Sequence, residues 1–262
     1  MFGTSQLLLL LVVLVRTSGI MIVAPVFGTN EVPPVVRGLL AFTLALLLWP
    51  TQLASGASAM MPNNLVDLSL MLAAETLIGL VLGMGVMILF ASFQLTGHVL
   101  GQLGGMSLAD VFNPGFDDNM PLFSHFLYLI TVAVYALVGG HRMLLGGLLD
   151  TFATIPPGTA AIPVDGVTLF TTLLSQSFEL GLRAAAPAMV ALLTATIVVG
   201  LVGRALPQLN LMALGFGFNA LVTFGILTVS LGGVGWLLQE NLEPFLDEIL
   251  QMFADANLNP EP

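Results

Sequence analysis

Long apolar runs, separated by short breaks rich in Pro, Gly and Asn, dominate the pattern of this chain. All but one shorter run approach or exceed ~20 residues, the length a helix needs to cross a hydrocarbon layer of ~30 Å. Strands of a membrane barrel would alternate polar and apolar positions, whereas these runs are apolar on all sides. The pattern therefore predicts an all-α, polytopic membrane protein with six or seven helical stretches, at residues 6–27, 35–49, 65 to about 108, 122–138, 143–155, 167–202 and 211–238.

Two of these stretches are too long for a simple span. As one helix at ~1.5 Å per residue, residues 65–108 would measure roughly 65 Å, about twice the membrane core. The polar residues 94–98 predict a break there, and Pro187 with two nearby charged residues predicts a break within residues 167–202. We expect both stretches to form helical hairpins or kinked helices. Backbone groups freed at a break are costly in lipid, so these segments should be packed inside an assembly.

Composition narrows the possible functions. The chain is 57% hydrophobic and 8% charged, against roughly a quarter charged in soluble domains. A formal net charge of -10, with five Arg and no Lys, leaves no basic patch for nucleic acid. The absence of Cys excludes a disulfide framework and a thiolate metal site. No positive charge precedes the first apolar run and no small-residue cleavage site follows it, so we expect a retained first helix rather than a secretory signal.

Small residues recur at four-residue spacing in the third stretch. Gly79 and Gly83 form one pair, and Gly97, Gly101 and Gly105 form a triple. A stripe of this kind lets two helix backbones approach closely. Two interpretations remain open, namely packing between helices of this chain and contact with another subunit.

Charged residues within the apolar stretches must find partners, because an unpaired one costs at least ~2.5 kcal/mol in a membrane. They are Arg16, Glu75, Glu179, Arg183 and Arg204. Glu179 and Arg183 lie one turn apart and can pair on one helix face. For Glu75 we expect an interhelical partner such as Arg16. The alternative, a proton or ion relay, usually needs several acids along one path, and only Glu75 lies deep in its segment.

Catalytic and cofactor motifs are missing from the sequence. No metalloprotease, Walker or serine-hydrolase motif occurs, and a thiol nucleophile is excluded. Gly215, Gly217 and Ala220 match a loose dinucleotide fingerprint, but they lie within an apolar run rather than after a strand. The three histidines are scattered, and His141 follows Gly139 and Gly140 at a predicted helix junction, which favours a structural or interfacial role over that of a metal ligand. We therefore expect no enzyme activity, no cofactor and no metal.

Several short motifs occur in a fixed order between residues 24 and 216. They are Ala24-Pro25-Val26-Phe27-Gly28, Val32-Pro33-Pro34-Val35-Val36-Arg37, Glu75-Thr76-Leu77-Ile78-Gly79-Leu80, Asp110-Val111-Phe112-Asn113-Pro114, Asn119-Met120-Pro121, Gly139-Gly140-His141-Arg142 and Pro207-Gln208-Leu209-Asn210-Leu211 leading into Gly215-Phe216. Each is weak alone, but their order across nearly the whole chain resembles the FliR family of bacterial type III export gates.

This resemblance implies a non-enzymatic subunit that forms, with FliP-like and FliQ-like subunits, the channel through which unfolded flagellar substrates cross the bacterial inner membrane. A FlhB-like subunit is expected at the cytoplasmic mouth, and the location is the flagellar basal body. The resemblance further implies a FliP-like part up to about residue 160 and a FliQ-like helical hairpin over about 161–238. The lack of Lys and the acidic tail over 239–262 depart from the family pattern. Helices of such a gate stack into a tapering superhelix, covered by neighbouring subunits as well as lipid.

The loop at about residues 106–120 corresponds, by the same resemblance, to the segment that helps to plug the pore. Its candidate plug residues are Asp110, Val111, Phe112, Asn113, Pro114, Gly115, Phe116 and Met120. Three of them are bulky and apolar, Pro and Gly favour a turn, and the acids keep the loop out of lipid. An ordinary solvent-exposed turn is the alternative interpretation.

Two other function classes compete with a channel subunit. Broken helices and Glu75 would also suit a proton-coupled secondary transporter of a small solute, which inverted repeats would favour, and none is visible. An intramembrane enzyme ranks below both, because no nucleophile and base recur at a workable spacing.

Overall fold

The computed structural model describes residues 3–29, 32–56, 61–105, 122–160, 166–206, 208 and 211–258. All regular secondary structure in these residues is helical. The helices are α1 (Thr4–Val23), α2 (Pro34–Ala54), α3 (Leu65–Leu103), α4 (Leu122–Val138), α5 (Gly140–Thr154), α6 (Gly166–Ala205) and α7 (Leu211–Leu258). The predicted all-α architecture is confirmed, and most helices begin and end within a few residues of the predicted apolar runs.

The helices have the dimensions of a polytopic membrane protein. Within the described residues, α1, α2, α3 and α6 are each long and apolar enough to cross a membrane, and the number rises to six if two bent pairs each form one span. One pair is α4 with α5, and the other consists of the two parts of α7, Gly217–Ser230 and Gly232–Ala254. Gly139 forms the α4–α5 corner with φ of 82°, a conformation that L side chains rarely adopt.

The two longest predicted stretches do not break where the sequence suggested. Helix α3 continues through residues 94–98, and α6 continues through Pro187. The Thr96 hydroxyl finds hydrogen-bond partners without a break in the helix, because it lies 3.1 Å from the Ser92 carbonyl oxygen and 3.0 Å from that of Gly181. Neither stretch is therefore divided into a hairpin at these positions, and a kink within either helix stays a prediction.

The acidic segment after residue 238 continues α7 as a helix to Leu258. Its apolar side chains recur at helical spacing and are buried, whereas Glu243 and Asp247 are exposed. The buried side chains are Leu242, Phe245, Leu246, Ile249 and Phe253. An amphipathic helix of this kind buries one stripe and leaves its acids outside, so at least this part of the predicted acidic tail is a packed element.

The described helices divide into two compact units. Met1–Ile88, Gly139–Leu173 and Asn241–Pro262 form the first unit, which holds α1, α2, α5, most of α3, the start of α6 and the end of α7. Leu89–Val138 and Leu174–Glu240 form the second, which holds α4 and most of α6 and α7. The division does not coincide with the FliP-like and FliQ-like parts that the resemblance implies, and that assignment stays a prediction.

Apolar surface is exposed on several helices. Only 11% of the most apolar window of α2 is buried, and 22% of that of α6, against 61% for α3. Large side chains on α6 that are at least half exposed are Val167, Phe178, Val190, Leu193, Ile197 and Leu201. Water is an unsuitable solvent for so many adjacent apolar groups, so α2 and α6 face lipid or other apolar protein.

Candidate functional site

The first unit is organised around a glycine contact between α1 and α3. A Cβ atom built on Gly19 would lie 2.6 Å from the Thr76 carbonyl oxygen, and one on Gly79 would overlap the Arg16 carbonyl oxygen and lie 3.1 Å from the Gly19 Cα. Gly83 is also close, with its Cβ position 3.1 Å from the backbone nitrogen of Ala24. Gly79 and Gly83 therefore pack within this chain. Gly19, which the sequence analysis missed, forms the other side of the contact.

One helical turn from that contact, a buried ion pair joins α1 to α3. The Arg16 Nε donates to Glu75 Oε2 at 2.6 Å, and neither side chain has exposed surface. Gly19 follows Arg16 by three residues and Gly79 follows Glu75 by four, so each glycine lies on the same helix face as its charged residue. The interhelical partner expected for Glu75 is thus present and is Arg16.

The rest of the guanidinium is held by α5 and the chain that follows it. Arg16 Nη1 donates to Thr151 Oγ1 at 3.3 Å, and Nη1 and Nη2 donate to the Ile155 carbonyl oxygen at 3.1 and 3.2 Å. The guanidinium carbon also lies 4.2 Å from the centre of the Phe152 ring, a cation–π contact. Arg16 therefore connects α1 to both α3 and the end of α5.

The second carboxylate oxygen of Glu75 binds a turn. The Gly158 N–H donates to Glu75 Oε1 at 2.7 Å. The turn runs from Pro156 to Thr159, whose N–H donates to the Pro156 carbonyl oxygen at 3.1 Å, and Gly158 has φ of 83°. Positive φ at the third turn residue is typical of a type II turn and favours Gly there. The Pro-Pro-Gly sequence could have signalled the turn, but nothing local indicated that it meets Glu75.

This cluster fits a structural role better than proton transfer. Both oxygens of Glu75 are engaged by donors, and four donor contacts of Arg16 are satisfied. Within the described ranges, no group of three or more His, Cys, Asp or Glu side chains could hold a metal ion. A buried ion pair whose remaining polar atoms are also satisfied is the arrangement in which burial of two charges is tolerated.

The remaining predicted charges lie at the surface. Glu179, Arg183 and Arg204 are exposed, and no ion pair joins Glu179 to Arg183 in the part of α6 that the structure describes. The expected pairing on one helix face is therefore absent. Sequence spacing makes the contact geometrically possible, but an exposed ion pair gains little free energy in return for ordering two long side chains.

The three glycines of the triple, all in the second unit, have different surroundings. A Cβ on Gly97 would lie 2.5 Å from the Phe123 carbonyl oxygen and 2.6 Å from the Ser124 Cα, so α3 and α4 meet there backbone to backbone. Gly101 faces the Phe123 ring, with 3.7 Å from its Cβ position to Cδ2. Gly105 follows the end of α3 with φ of 78° and open space around it. Packing within the chain thus accounts for Gly97 and Gly101, whereas Gly105 is a turn residue.

Two further packing glycines were missed by the sequence analysis. A Cβ on Gly104 would lie 2.6 Å from Thr223 Oγ1, and one on Gly181 would lie 2.7 Å from the Ser92 carbonyl oxygen. Gly104 belongs to no four-residue repeat of small residues, whereas Gly181 lies between Ser177 and Ala185 at that spacing, a signal that could have found it. They bring α3 close to α7 and α6 within the second unit.

The predicted plug residues, Asp110 to Met120, lie outside the described residues. Their role stays a prediction. The loose dinucleotide fingerprint, in contrast, can be placed: Gly215, Gly217 and Ala220 lie inside α7, with no strand before them in the described chain. That location is unlike a dinucleotide-binding turn.

Comparison with known proteins identifies the relatives of this chain. The model of a family described as "Bacterial export proteins, family 1" matches residues 7–244. A flagellar biosynthetic protein FliR from Bacillus subtilis (strain 168) is 30% identical over 84% of this chain and 84% of its own length. Proteins of the same name from Caulobacter vibrioides and Escherichia coli (strain K12) are 26% and 27% identical, covering 94% and 92% of this chain and 98% and 90% of their own lengths.

Proposed function

This chain belongs to the bacterial export proteins, family 1, and from that premise we propose that it is a non-enzymatic subunit of a flagellar-type protein export gate. It is an integral membrane component of the flagellar export apparatus, as the FliR relatives and the apolar helices support. Within that apparatus, FliP-like and FliQ-like subunits would complete with it the channel through which unfolded substrates cross the bacterial inner membrane.

The exposed apolar helices are the observation that carries the gate proposal. Helices α2 and α6 leave most of their apolar windows uncovered by this chain, although both are long enough to cross a membrane. On α6 the exposed surface also includes Glu179 and Arg183, whose charges are costly in pure lipid. Neighbouring subunits can cover apolar groups and supply counter-charges at the same time, which lipid tails cannot do.

The family resemblance also implies a role for each segment of this chain and one further partner. Residues 1 to about 160 would form a FliP-like part and about 161–238 a FliQ-like hairpin, with a FlhB-like subunit at the cytoplasmic mouth. Residues 106–120 would help to plug the pore when no substrate is present. Bulky side chains such as Phe112, Phe116 and Met120 suit a seal, because flexible apolar groups can deform around varied peptides.

A proton-coupled transporter is a weaker candidate for this chain. Its central requirement is an acid that exchanges protons with water, and Glu75 is fully buried and bound by Arg16 and Gly158. An enzyme is a weaker candidate as well, since no described cluster of acids or histidines offers a metal site and the sequence carries no catalytic motif. These observations support a role in which the helices act by packing.

Coexpression tests the proposal. An affinity-tagged chain produced with FliP-like and FliQ-like subunits of the same genome should be recovered as one stable complex after detergent extraction and size-exclusion chromatography. A chain produced alone should be recovered in lower yield and should unfold at a lower temperature than the complex, because only detergent covers its apolar faces. Recovery of a monodisperse, stable monomer that binds neither subunit would contradict the proposal. Uptake of a small solute by proteoliposomes containing this chain alone, and its loss in E75Q, would favour the transporter instead.

A further inference from the structure

We propose that Arg16 and Glu75 form a latch that holds Ile155 and the turn Pro156–Thr159 against α1 and α3, and that this turn can open while the helices stay packed. These residues follow α5 directly. The inference concerns the internal mechanics of the first unit and does not rest on the proposed function.

The two residues of the ion pair bind different backbone groups of this segment. Arg16 holds the Ile155 carbonyl oxygen through two N–H donors, at 3.1 and 3.2 Å. Glu75 holds the Gly158 N–H at 2.7 Å with the oxygen that Arg16 Nε does not use. The residue before the turn and the third residue of the turn are therefore bound to charged atoms on α1 and α3. Hydrogen bonds to charged groups are the stronger ones in proteins, so the turn is held more firmly than its own single backbone bond would allow.

The helices have separate contacts that do not pass through the turn. α1 and α3 meet backbone to backbone at Gly19 and Gly79, and the Cβ position of Gly147 on α5 lies 3.7 Å from the Leu82 side chain on α3. Leu144 and Leu148 of α5 are also buried. Loss of the bonds to the turn leaves all of these contacts in place.

The turn also has room to move. A cleft of about 460 Å³ lies beside it, lined by Gln52, Gly56, Phe152, Pro156 and Pro157 among other residues at the ends of α2 and α5. Pro156 is exposed on this side. Ile155 and Pro157 are buried, so a turn released from Arg16 and Glu75 has open space on its Pro156 side and moves there by drawing these two side chains out of their packing.

Hydrogen exchange of the Gly158 amide gives a direct readout of the latch. In a type II turn the N–H of the third residue has no partner within the turn, so protection of this amide reports its bond to Glu75. In the full wild-type chain, purified in detergent, we expect Gly158 to exchange far more slowly than an open turn of the same sequence. Exchange at the rate of an unprotected turn would overturn the proposal.

Two double variants separate the latch from the stability of the helices. R16M/E75M removes both charges and every bond to the turn, and paired apolar replacement of a buried ion pair is often tolerated. R16M/E75Q is the matched control, because the Gln oxygen can still accept from Gly158. We expect Gly158 to exchange at least about fivefold faster in R16M/E75M than in R16M/E75Q, the effect of one neutral hydrogen bond.

Amides in the middle of α1, α3 and α5 should exchange at the same rates in both variants. Equal exchange of Gly158 in the two would overturn the latch. Failure of R16M/E75M to fold where R16M/E75Q folds would also overturn it, because the proposal requires the helices to stay packed when the turn is free. Should both variants fail to fold, the ion pair is a requirement of the whole unit and the latch is likewise refuted.

Discussion

Gly79 packs directly against the backbone of Arg16, so the closest approach of α1 and α3 lies one helical turn from their ion pair. The glycine contact brings the two helix axes close enough for a short bond between Arg16 Nε and Glu75 Oε2. The contact leaves room for only a hydrogen atom in place of a side chain at Gly79. One turn earlier, at Glu75, the side chain carries the charge that pairs with Arg16. Backbone contact and ion pair are therefore two parts of one arrangement.

G79A should destabilise the chain. The added Cβ would overlap the Arg16 carbonyl oxygen, so α1 has to shift, and overpacking of this kind costs about 1–3 kcal/mol. G146A on α5 is the matched control, since nothing lies within 4 Å of its Cβ position, and it should gain up to about 1 kcal/mol from helix propensity. Thermal unfolding in detergent, followed by far-UV circular dichroism, measures both. A G79A chain as stable as G146A would contradict the close contact.

The ion pair should show strong coupling in a double-mutant cycle. R16M alone leaves the Glu75 carboxylate buried without a counter-charge, and E75M alone leaves the guanidinium unpaired, so each should cost about 3–5 kcal/mol. R16M/E75M should lose much less than the sum, because no buried charge remains. R204M, at an exposed position, should change the unfolding free energy by no more than about 0.5 kcal/mol. Additive losses for R16M and E75M would show that the two residues do not interact.

The sequence predicted what depends on local pattern. Apolar runs of membrane length gave the helices, and the cost of an unpaired charge in such a run pointed from Glu75 to Arg16. The turn at Gly158 was not predictable in the same way. Its N–H meets Glu75 across 83 positions of sequence, and only the packing of α5 against α1 and α3 creates that contact.

Long-range contacts and helical spacing explain what the apolar pattern leaves open. A break at residues 94–98 is predicted because one helix over residues 65–108 would be about twice as long as the membrane core is thick. The Thr96 hydroxyl lies within hydrogen-bonding distance of carbonyl oxygens on α3 and α6, so the helix continues there. The acidic composition of the segment after residue 238 indicates a tail. Its buried Leu and Phe residues recur every three or four positions, which favours a helix packed along one face.

E179A/R183A should affect assembly rather than folding. Both side chains are exposed on α6, so their removal should change the unfolding free energy of the isolated chain by no more than about 0.5 kcal/mol. If partner subunits supply the counter-charges, truncation should weaken the complex by about 2 kcal/mol or more, roughly a thirtyfold loss of affinity. Copurification with FliP-like and FliQ-like subunits measures the effect. T194V, also exposed on α6, serves as the control and should assemble normally.

Full recovery of the E179A/R183A complex under conditions that dissociate other weakened complexes would remove these charges from the interface. A loss of unfolding free energy comparable to that of R16M would have a different meaning. It would show that Glu179 and Arg183 find partners within this chain when it is placed in a membrane.

Deletion of residues 111–120 should make the assembled gate leak ions and small metabolites, because the proposed plug loses its bulky apolar groups. A replacement of the same length by Gly and Ser should leak as well, since the seal depends on side chains such as Phe112 and Phe116 and not on loop length alone.

The triple variant D110N/D117N/D118N is the matched control, because it keeps every apolar group and removes only charge. Conductance of membranes that contain the assembled complex measures the leak. Unchanged conductance after deletion would exclude the loop as the seal, whereas a leak in the Asn variant alone would show that its acids, by holding the loop in place, carry the closed state.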